Sequence, residues 1–319
     1  MSWQTLPART WRFGLLLIVG LGLAFYLFLG RGAKSSVTQL VLERQQTLTR
    51  AQASSVTSFF QVFGDSLAVL AQVNGMKRQD AITVQNMDAF VAQWEDSGLV
   101  GGIVFTDSLG VVKFNSNVLG TRDLGISLTD RDYFVWAKGQ SGEGEYFIGQ
   151  PVVSRLGASE GQMIVPVASP VFQENVFLGV VVASVKLQPL TERFLGLLKV
   201  SGQTDVYLVN ERGELLYSNS APELVGTFFF ELLPEFKKAP NTSKEGYLET
   251  KDNVLAYAPV SLDSQNWLLV MASPRQQEID NITTPFYIRQ AAVLILAYLS
   301  VFLFGIIVTR ENQGQEKAE

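Results

Sequence analysis

Two uncharged apolar runs, one near each end of the chain, limit its possible folds more than any other feature. The first run covers Phe13–Gly30, the second covers Ala291–Val308, and arginines flank both. As a helix, each run would be about 27 Å long, which is enough to cross the hydrocarbon core of a bilayer. The sequence therefore predicts two transmembrane helices, with residues 1–12 and 309–319 on one side of the membrane.

A cleaved signal peptide is the alternative interpretation of the first run. Its apolar length exceeds the usual hydrophobic region of a signal peptide, and Arg31–Ser36 offers no small-x-small cleavage site. A retained anchor therefore fits better. The flanking charges do not set the orientation, because a loop of about 260 residues crosses a membrane largely regardless of its charge.

The composition excludes several classes of function. The 319 residues include no cysteine and no histidine, so a disulfide framework, a thiolate nucleophile, a Cys/His zinc site and a Ser-His-Asp triad are impossible. The net charge of −5 gives no electrostatic footprint for nucleic acid. We interpret the chain as a non-enzyme that needs no cofactor and binds no nucleic acid.

The loop between the two runs begins with a helical pattern. Apolar residues recur at steps of three and four through Val37–Gln72, which contains no proline, and this spacing predicts one long stalk helix. Its polar first half has a thin apolar stripe, which suits pairing with a second copy of the chain. A shorter helix is predicted over Val84–Trp94.

Beyond that helix the hydrophobic period changes to two, which indicates strands. The first predicted set is Val100–Asp107, Val111–Asn117, Glu145–Ser154, Gln162–Phe172 and Val176–Leu187. The second predicted set is Asp205–Asn210, Glu214–Ser218, Gly246–Thr250, Asn253–Val260 and Trp267–Ala272. A helical segment, Asp130–Lys138, interrupts the first set after its second strand, and a helix over Pro274–Asn281 follows the second set.

This repeat predicts an α+β fold in which the stalk helix carries two PAS-like modules with antiparallel sheets. The modules cover about residues 84–190 and 200–275.

At this point the chain resembles the double Cache sensor domains of bacterial transmembrane receptors, over about Val37–Ile282. The resemblance rests on the architecture and on local signatures. The signatures are Asp130–Phe134 (DRDYF), Gly144–Tyr146 (GEY), Ile164–Val171 (IVPVASPV) and Leu178–Val185 (LGVVVASV). It implies a sensor domain over 31–282, outside the cytoplasm and anchored in the inner membrane, with both termini in the cytoplasm. The membrane-distal module would hold a small ligand.

The segment Asp130–Lys138 concentrates the groups that a small anion needs. Arg131 offers a planar donor fork for a carboxylate, while Tyr133 and Trp136 offer apolar faces with a polar group. Tyr146 could add a hydroxyl, and the resemblance adds Phe134 as part of the same signature.

Three alternatives remain open for these residues and for Arg155, which directly follows the predicted strand Glu145–Ser154. Arg131 could form a structural ion pair with Asp123, Asp130 or Asp132. Arg155 could be a solvated loop charge, and Trp136 could belong to the core.

Ser184 narrows the class of ligand. Family members that bind amino acids carry an aspartate at the equivalent strand position, where it receives the ammonium group of the ligand. Serine cannot neutralise a buried ammonium group, and an unpaired buried charge is costly. A plain organic acid is therefore favoured over an amino acid or an amine.

The predicted function is a sensor that relays ligand binding through the second span, as a homodimer. Only nine residues follow Arg310, so the output would lie in a separate partner or in a missing domain. The alternatives are a ligand-free membrane scaffold and, less consistent with the composition, a membrane-anchored hydrolase.

Overall fold

The protein is described from a computed structural model, which covers residues 8–120, 123–198, 203–234, 236 and 244–316. Its helices are α1 (Ala8–Gln72), α2 (Asn74–Lys77), α3 (Ala81–Glu95), α4 (Asp132–Lys138), α5 (Leu187–Leu195), α6 (Phe229–Leu232) and α7 (Asn281–Glu316). The chain divides into two compact units. One comprises residues 1–44, 251–254 and 274–319, and the other comprises 45–250 and 255–273.

The predicted spans fall within the two longest helices. The first, Phe13–Gly30, is part of α1, which continues without interruption through the predicted stalk. Within the described residues one helical stretch, Thr283–Leu303 in α7, is long and apolar enough to cross a membrane. Residues 1–7 and 317–319 of the predicted terminal segments lie outside the described residues.

The segment before α7 differs from the prediction. A helix was expected over Pro274–Asn281, but strand pairing continues to Pro274 and a π-helix follows at Gln276–Asp280. Such wide helical turns are rare, and they occur mostly as single turns within helices. Pro285, inside α7, has no N–H to donate to the preceding turn.

The first sheet contains six strands. They are β1 (Val100–Thr106), β2 (Val112–Asn117), β3 (Phe147–Ile148), β4 (Val152–Val153), β5 (Met163–Gln173) and β6 (Val176–Lys186). Their order is β2-β1-β6-β5-β3, and β4 also pairs with β5. The hairpin between β5 and β6 turns at Glu174 and Asn175, which both have positive φ, as tight hairpin turns require.

The second sheet repeats this order with five strands. They are β7 (Asp205–Val209), β8 (Leu215–Ser218), β9 (Gly246–Glu249), β10 (Asn253–Leu262) and β11 (Gln265–Pro274), arranged as β8-β7-β11-β10-β9. The first two strands of each set form a hairpin, and the last strand of each set lies beside its first. The predicted repeat of two antiparallel sheets on a long helix is therefore confirmed.

Helix α1 supplies one side of the core of the larger unit. Its buried residues follow steps of three and four: Ala53, Val56, Phe60, Phe63, Leu67 and Ala71. They belong to one apolar cluster that includes side chains of both sheets. The edge of the Trp267 ring from β11 contacts Phe60, with ring centroids 5.7 Å apart. The helix thus packs against both modules.

The polar first half of the predicted stalk, which was expected to pair with a second copy, is partly buried within its own chain. Gln45 and Thr49 are 2% and 0% exposed, and Leu48 packs against the apolar cluster. The sequence hides this burial because two of the inward positions carry polar side chains.

Candidate functional site

A cavity opens on the first sheet, beneath the segment that follows β4. Its floor comes from β1, β2, β5 and β6, and its rim comes from the start of α4 and residues 152–158. About 40 Å³ of it is open to the centres of water molecules, which is room for on the order of three waters. The space therefore suits a ligand of a few non-hydrogen atoms.

Arg131 lines this cavity and carries one buried donor that is unsatisfied among the described residues. The residue lines the cavity immediately before the first turn of α4, where its backbone is extended. Its Nη2 donates to the carbonyl oxygen of Val153 at 3.3 Å, whereas its Nε is buried and has no hydrogen-bond partner among the described residues. A buried donor without a partner costs free energy. The terminal nitrogens of the guanidinium form the planar fork that matches a carboxylate.

The acids considered as structural partners of Arg131 are engaged elsewhere. Asp130 forms a two-point ion pair with Arg155, at 3.0 and 2.7 Å. Asp123 accepts the backbone N–H of Gly157 at 2.8 Å. Asp132 accepts the N–H of its neighbour Tyr133 at 2.7 Å and that of Gln150 at 3.3 Å.

Arg155 lies at the rim of the cavity rather than in a free loop. Its ion pair with Asp130 ties the segment after β4 to the residues just before α4. The hydrogen bond from Arg155 holds the pKa of the Asp130 carboxyl below its usual range. Both side chains remain about half exposed, so the pair is accessible to solvent. The loop charge predicted for Arg155 is thus exposed to solvent, and it is paired with Asp130.

Tyr133 adds a second donor. It is 5% exposed and lines the cavity, and no described residue accepts a hydrogen bond from its hydroxyl. Burial raises the pKa of the phenol above its usual value. The hydroxyl therefore stays protonated at neutral pH and is available to donate.

Ser184 lies in β6 on the cavity floor, as its proposed role requires. Its Oγ donates to the carbonyl of Gly102 at 3.1 Å, and its backbone pairs with Pro166 of β5. The hydroxyl is thus satisfied within the sheet and brings no charge to the cavity.

Two buried asparagines, Asn115 and Asn117 in β2, also line the cavity, and the sequence analysis missed them. Asn117 Nδ2 donates to Asn115 Oδ1 at 3.2 Å. The neighbouring strand β1 carries Gly101-Gly102 near its start, and a methyl group on Gly101 would collide with the Ser159 hydroxyl. Glycines inside a strand often mark such a close approach. The Gly101-Gly102 pair was therefore the sequence signal from which this part of the cavity could have been predicted.

Phe134 and Trp136 do not line the cavity, which corrects their assignment as ligand contacts. Phe134 is buried, with its ring centroid 6.3 Å from that of Phe177. Trp136 stacks on Phe147 at 5.2 Å and 23°. On a short helix only one side can face the cavity, and Tyr133 occupies that side. The two aromatic residues belong to the packing between α4 and the sheet.

Tyr146 is also absent from the cavity lining. Its ring lies against α1 at Gly64, where any side chain carbon would collide with it. Burial and a hydrogen bond to the Asp263 carboxylate raise the pKa of its phenol. Asp263 belongs to the turn between β10 and β11, so Tyr146 lies at the junction of the stalk and the two modules.

The charge of the cavity lining is one-sided. The lining residues include two arginines, Arg131 and Arg155, and within the described part of the chain no aspartate or glutamate is among them. The polar groups that remain are hydroxyls, amides and backbone groups. This surface favours an anion over a cation or a zwitterion.

The sequence matches the family model of the Cache domain over residues 33–282. The chain belongs to the Cache-domain family. The matched range includes the stalk part of α1 and both sheets, which form the two modules of a double Cache domain. No curated protein matches the sequence significantly.

Several solved Cache-type structures share the fold at low sequence identity. One is a domain of a sensory box/GGDEF family protein from Vibrio parahaemolyticus, with a TM-score of 0.59 and 15% identity, covering 75% of this chain and 99% of that one. A methyl-accepting chemotaxis protein has a TM-score of 0.57 and 20% identity, covering 75% and 100%.

A third structure is the ligand-binding domain of the Pseudomonas fluorescens chemoreceptor CtaA with L-leucine. It has a TM-score of 0.56 and 15% identity, covering 76% of this chain and 99% of that one. At these identities the likeness establishes the Cache fold alone.

Proposed function

We propose that this Cache protein is a membrane-anchored sensor that binds a small carboxylate in the cavity of its first module. The observation that carries the proposal is the state of Arg131. Arg131 lines the cavity, its side chain bonds to a backbone carbonyl rather than to a carboxylate, and the three nearby acids are engaged elsewhere. A carboxylate would accept from Arg131 and from the Tyr133 hydroxyl together.

An amino acid is the competing class of ligand, because the CtaA domain is described in complex with L-leucine and with L-alanine. Its ammonium group would need an acceptor of opposite charge in the cavity. The residue in the floor strand is Ser184, and the described lining holds no carboxylate. A buried ammonium group without a charged partner costs several kcal/mol, so the plain acid is favoured.

The membrane part of the proposal combines sequence and fold. The stretch Thr283–Leu303 has the length and apolar composition of a span, and Phe13–Gly30 has a similar apolar composition. We place the Cache domain outside the cytoplasm of a bacterial cell and both termini inside it. A homodimer would then pass the signal through α7 to a separate partner.

No catalysis is part of the proposal. The lack of cysteine and histidine removes the commonest nucleophiles and proton carriers, and the described residues hold no acidic cluster suited to a metal ion. A ligand-free scaffold is the second candidate function, and the same experiment separates it from sensing.

The experiment measures thermal stability of the full chain in detergent against acetate, propionate, lactate, pyruvate and alanine. Propionate and alanine differ by the ammonium group, so their comparison tests the class of ligand. We expect stabilisation by at least one plain acid, its loss in Arg131→Ala, and its retention in Arg193→Ala. Arg193 is an exposed arginine of α5 outside the cavity lining.

Losing Arg131 should weaken binding about a hundredfold, the equivalent of about 2–3 kcal/mol. Stabilisation by alanine alone would show that the ligand is an amino acid rather than a plain acid. No response to any probe would favour the scaffold.

A further inference from the structure

The end of strand β3 touches the ligand cavity on one side. Gly149 follows β3 and donates its N–H to the carbonyl of Pro166, a cavity residue, at 2.8 Å. The next residue, Gln150, donates its N–H to Asp132 Oδ2 at 3.3 Å. Asp132 is the first residue of α4 and is bonded in sequence to Arg131. A shift of this strand end would therefore move the start of α4.

The same strand end is held from the other side by the second module. Gln265, the first residue of β11, donates from its Nε2 to the carbonyl of Gly149 at 2.8 Å and to that of Ile148 at 3.3 Å. The hydroxyl of Ser264 also donates to the Ile148 carbonyl. These side chains reach 116 or 117 positions back along the chain, so the contact exists only in the folded two-module domain.

Gln265 is itself fixed in place. Its side chain is 2% exposed, and its Oε1 accepts a hydrogen bond from Trp267 Nε1 at 3.1 Å. The Trp267 ring packs edge-on against Phe60 of α1. Because both amide atoms of Gln265 are engaged, its orientation is determined by the second module and the stalk. Few rotamers can satisfy all of these contacts at once.

We propose that Gln265 of the second module is a positioning residue for the ligand cavity of the first module. It holds the carbonyls of Ile148 and Gly149, and through Gln150 and Asp132 it sets the position of Arg131. The inference rests on the proposed carboxylate site. Removing the amide would leave two buried carbonyls without those partners, and the strand end would shift towards water to recover hydrogen bonds.

Coupling between two sites is reciprocal in free energy. If Gln265 influences the cavity, an occupied cavity must favour one arrangement of the Gln265 contacts. The β10–β11 turn would then pass the state of the cavity to the second module, where strand β11 lies between β7 and β10.

The test uses full-length protein and the variant Gln265→Met, which keeps the length of the side chain but removes both polar atoms. Asn266→Ala is the matched control, because Asn266 is the next residue and, among the described residues, its side chain bonds to Glu211 of the second module. Binding of acetate, propionate and pyruvate is titrated for each protein. In parallel, hydrogen exchange is measured by mass spectrometry for the peptide that spans α4.

We expect Gln265→Met to weaken binding of the responding acid at least fivefold and to raise exchange in α4 at least threefold. Asn266→Ala should change neither quantity more than twofold. A purely structural role would lower the melting temperature of Gln265→Met but leave affinity and exchange at wild-type values, and that result would overturn the proposal. If Gln265→Met does not fold, Ser264→Ala serves instead, with smaller changes in the same direction.

Failure of the proposed function gives a different pattern. If none of the three acids binds the wild-type protein, the carboxylate site is wrong, and the exchange measurement alone then decides the positioning role. Unchanged exchange in α4 would overturn it, whereas raised exchange confined to Gln265→Met would support it.

Discussion

Arg155 holds Asp130 at two points, with Nη1 3.0 Å from Oδ1 and Nη2 2.7 Å from Oδ2. Asp130 directly precedes Arg131 in sequence, so this pair removes one competing carboxylate for the Arg131 guanidinium. Arg155 thereby helps to keep Arg131, which lines the cavity, available to a ligand.

Arg155→Ala should weaken binding of a small carboxylate severalfold, because the released Asp130 would compete for Arg131. The melting temperature should hardly change, since exposed ion pairs contribute little to stability. The double variant Arg155→Ala with Asp130→Asn should recover affinity for the carboxylate, because the neutral amide introduced at position 130 no longer competes by charge for Arg131. Isothermal titration with acetate or pyruvate measures both variants, and a double variant as weak as the single one would contradict this explanation.

Ser184→Asp should admit an amino acid. The new carboxylate would lie on the cavity floor and could pair with the ammonium group of alanine. We expect the affinity ratio of alanine to propionate to rise at least tenfold in Ser184→Asp. Ser184→Asn, which has a similar volume and no charge, should keep the wild-type ratio. Equal ratios in the two variants would mean that Ser184 does not control the class of ligand.

Gly64→Ala should destabilise the domain by about 1–3 kcal/mol, because the new methyl group meets the Tyr146 ring. This cost opposes the gain of about 1 kcal/mol that alanine normally brings to a helix interior. Urea unfolding measures the change. Gly196→Ala, which meets no atom within 4 Å, is the control. Combining Gly64→Ala with Tyr146→Ala should remove most of the methyl-group penalty, and an additive result would contradict the contact.

Tyr133 should make stability depend on pH in the alkaline range. Burial raises the pKa of its phenol above the unfolded value of about 10. The folded protein therefore holds this proton more tightly than the unfolded chain does. The resulting contribution of Tyr133 to the free energy of unfolding is complete below about pH 10 and is lost as pH rises through the folded pKa. Urea midpoints between pH 9 and 11.5 should fall less steeply in Tyr133→Phe than in the wild type. Tyr247→Phe, at a 42% exposed position, should keep the wild-type slope.

Cross-linking can test the predicted homodimer. Val62 and Val69 lie seven residues apart on α1 and are 59% and 64% exposed, whereas Leu48 packs against the core. In the cysteine-free chain, Val62→Cys and Val69→Cys should form disulfide dimers in membranes. Leu109→Cys, at a 71% exposed position in the β1–β2 turn, should not. Equal cross-linking at all three positions would indicate random collision.

The sequence predicted most of the regular structure because the hydrophobic period is strong in this chain. The ends of β1, β2, β5 and β6 lie within one residue of the predicted strands. The segment Glu145–Ser154 was predicted as one strand but forms two strands of two residues each. Gly149 and Pro151 lie between them, and proline cannot donate to the sheet. Helix α5 was missed because the predicted strand was extended to Leu187, the first residue of this helix.

The site was only partly predictable, for a physical reason. Arg131, Tyr133 and Ser184 line the cavity because sequence position fixes which side of α4 or β6 they occupy. Tyr146 resembled a pocket residue in the sequence, but Gly64 leaves a gap on α1 into which its ring fits. No local pattern links residues 82 positions apart. The pairing of Asp130 with Arg155 was equally hidden, since it depends on how the segment after β4 folds back.

The small size of the cavity sets a limit on sensitivity. Acetate has four non-hydrogen atoms, and the best small ligands gain at most about 1.5 kcal/mol for each such atom. The resulting binding free energy of about 6 kcal/mol corresponds to a Kd on the order of tens of micromolar. A carboxylate sensor of the proposed kind would, with so small a cavity, answer to abundant metabolites rather than traces. It would therefore report whether a nutrient is plentiful, over concentrations from tens of micromolar upwards.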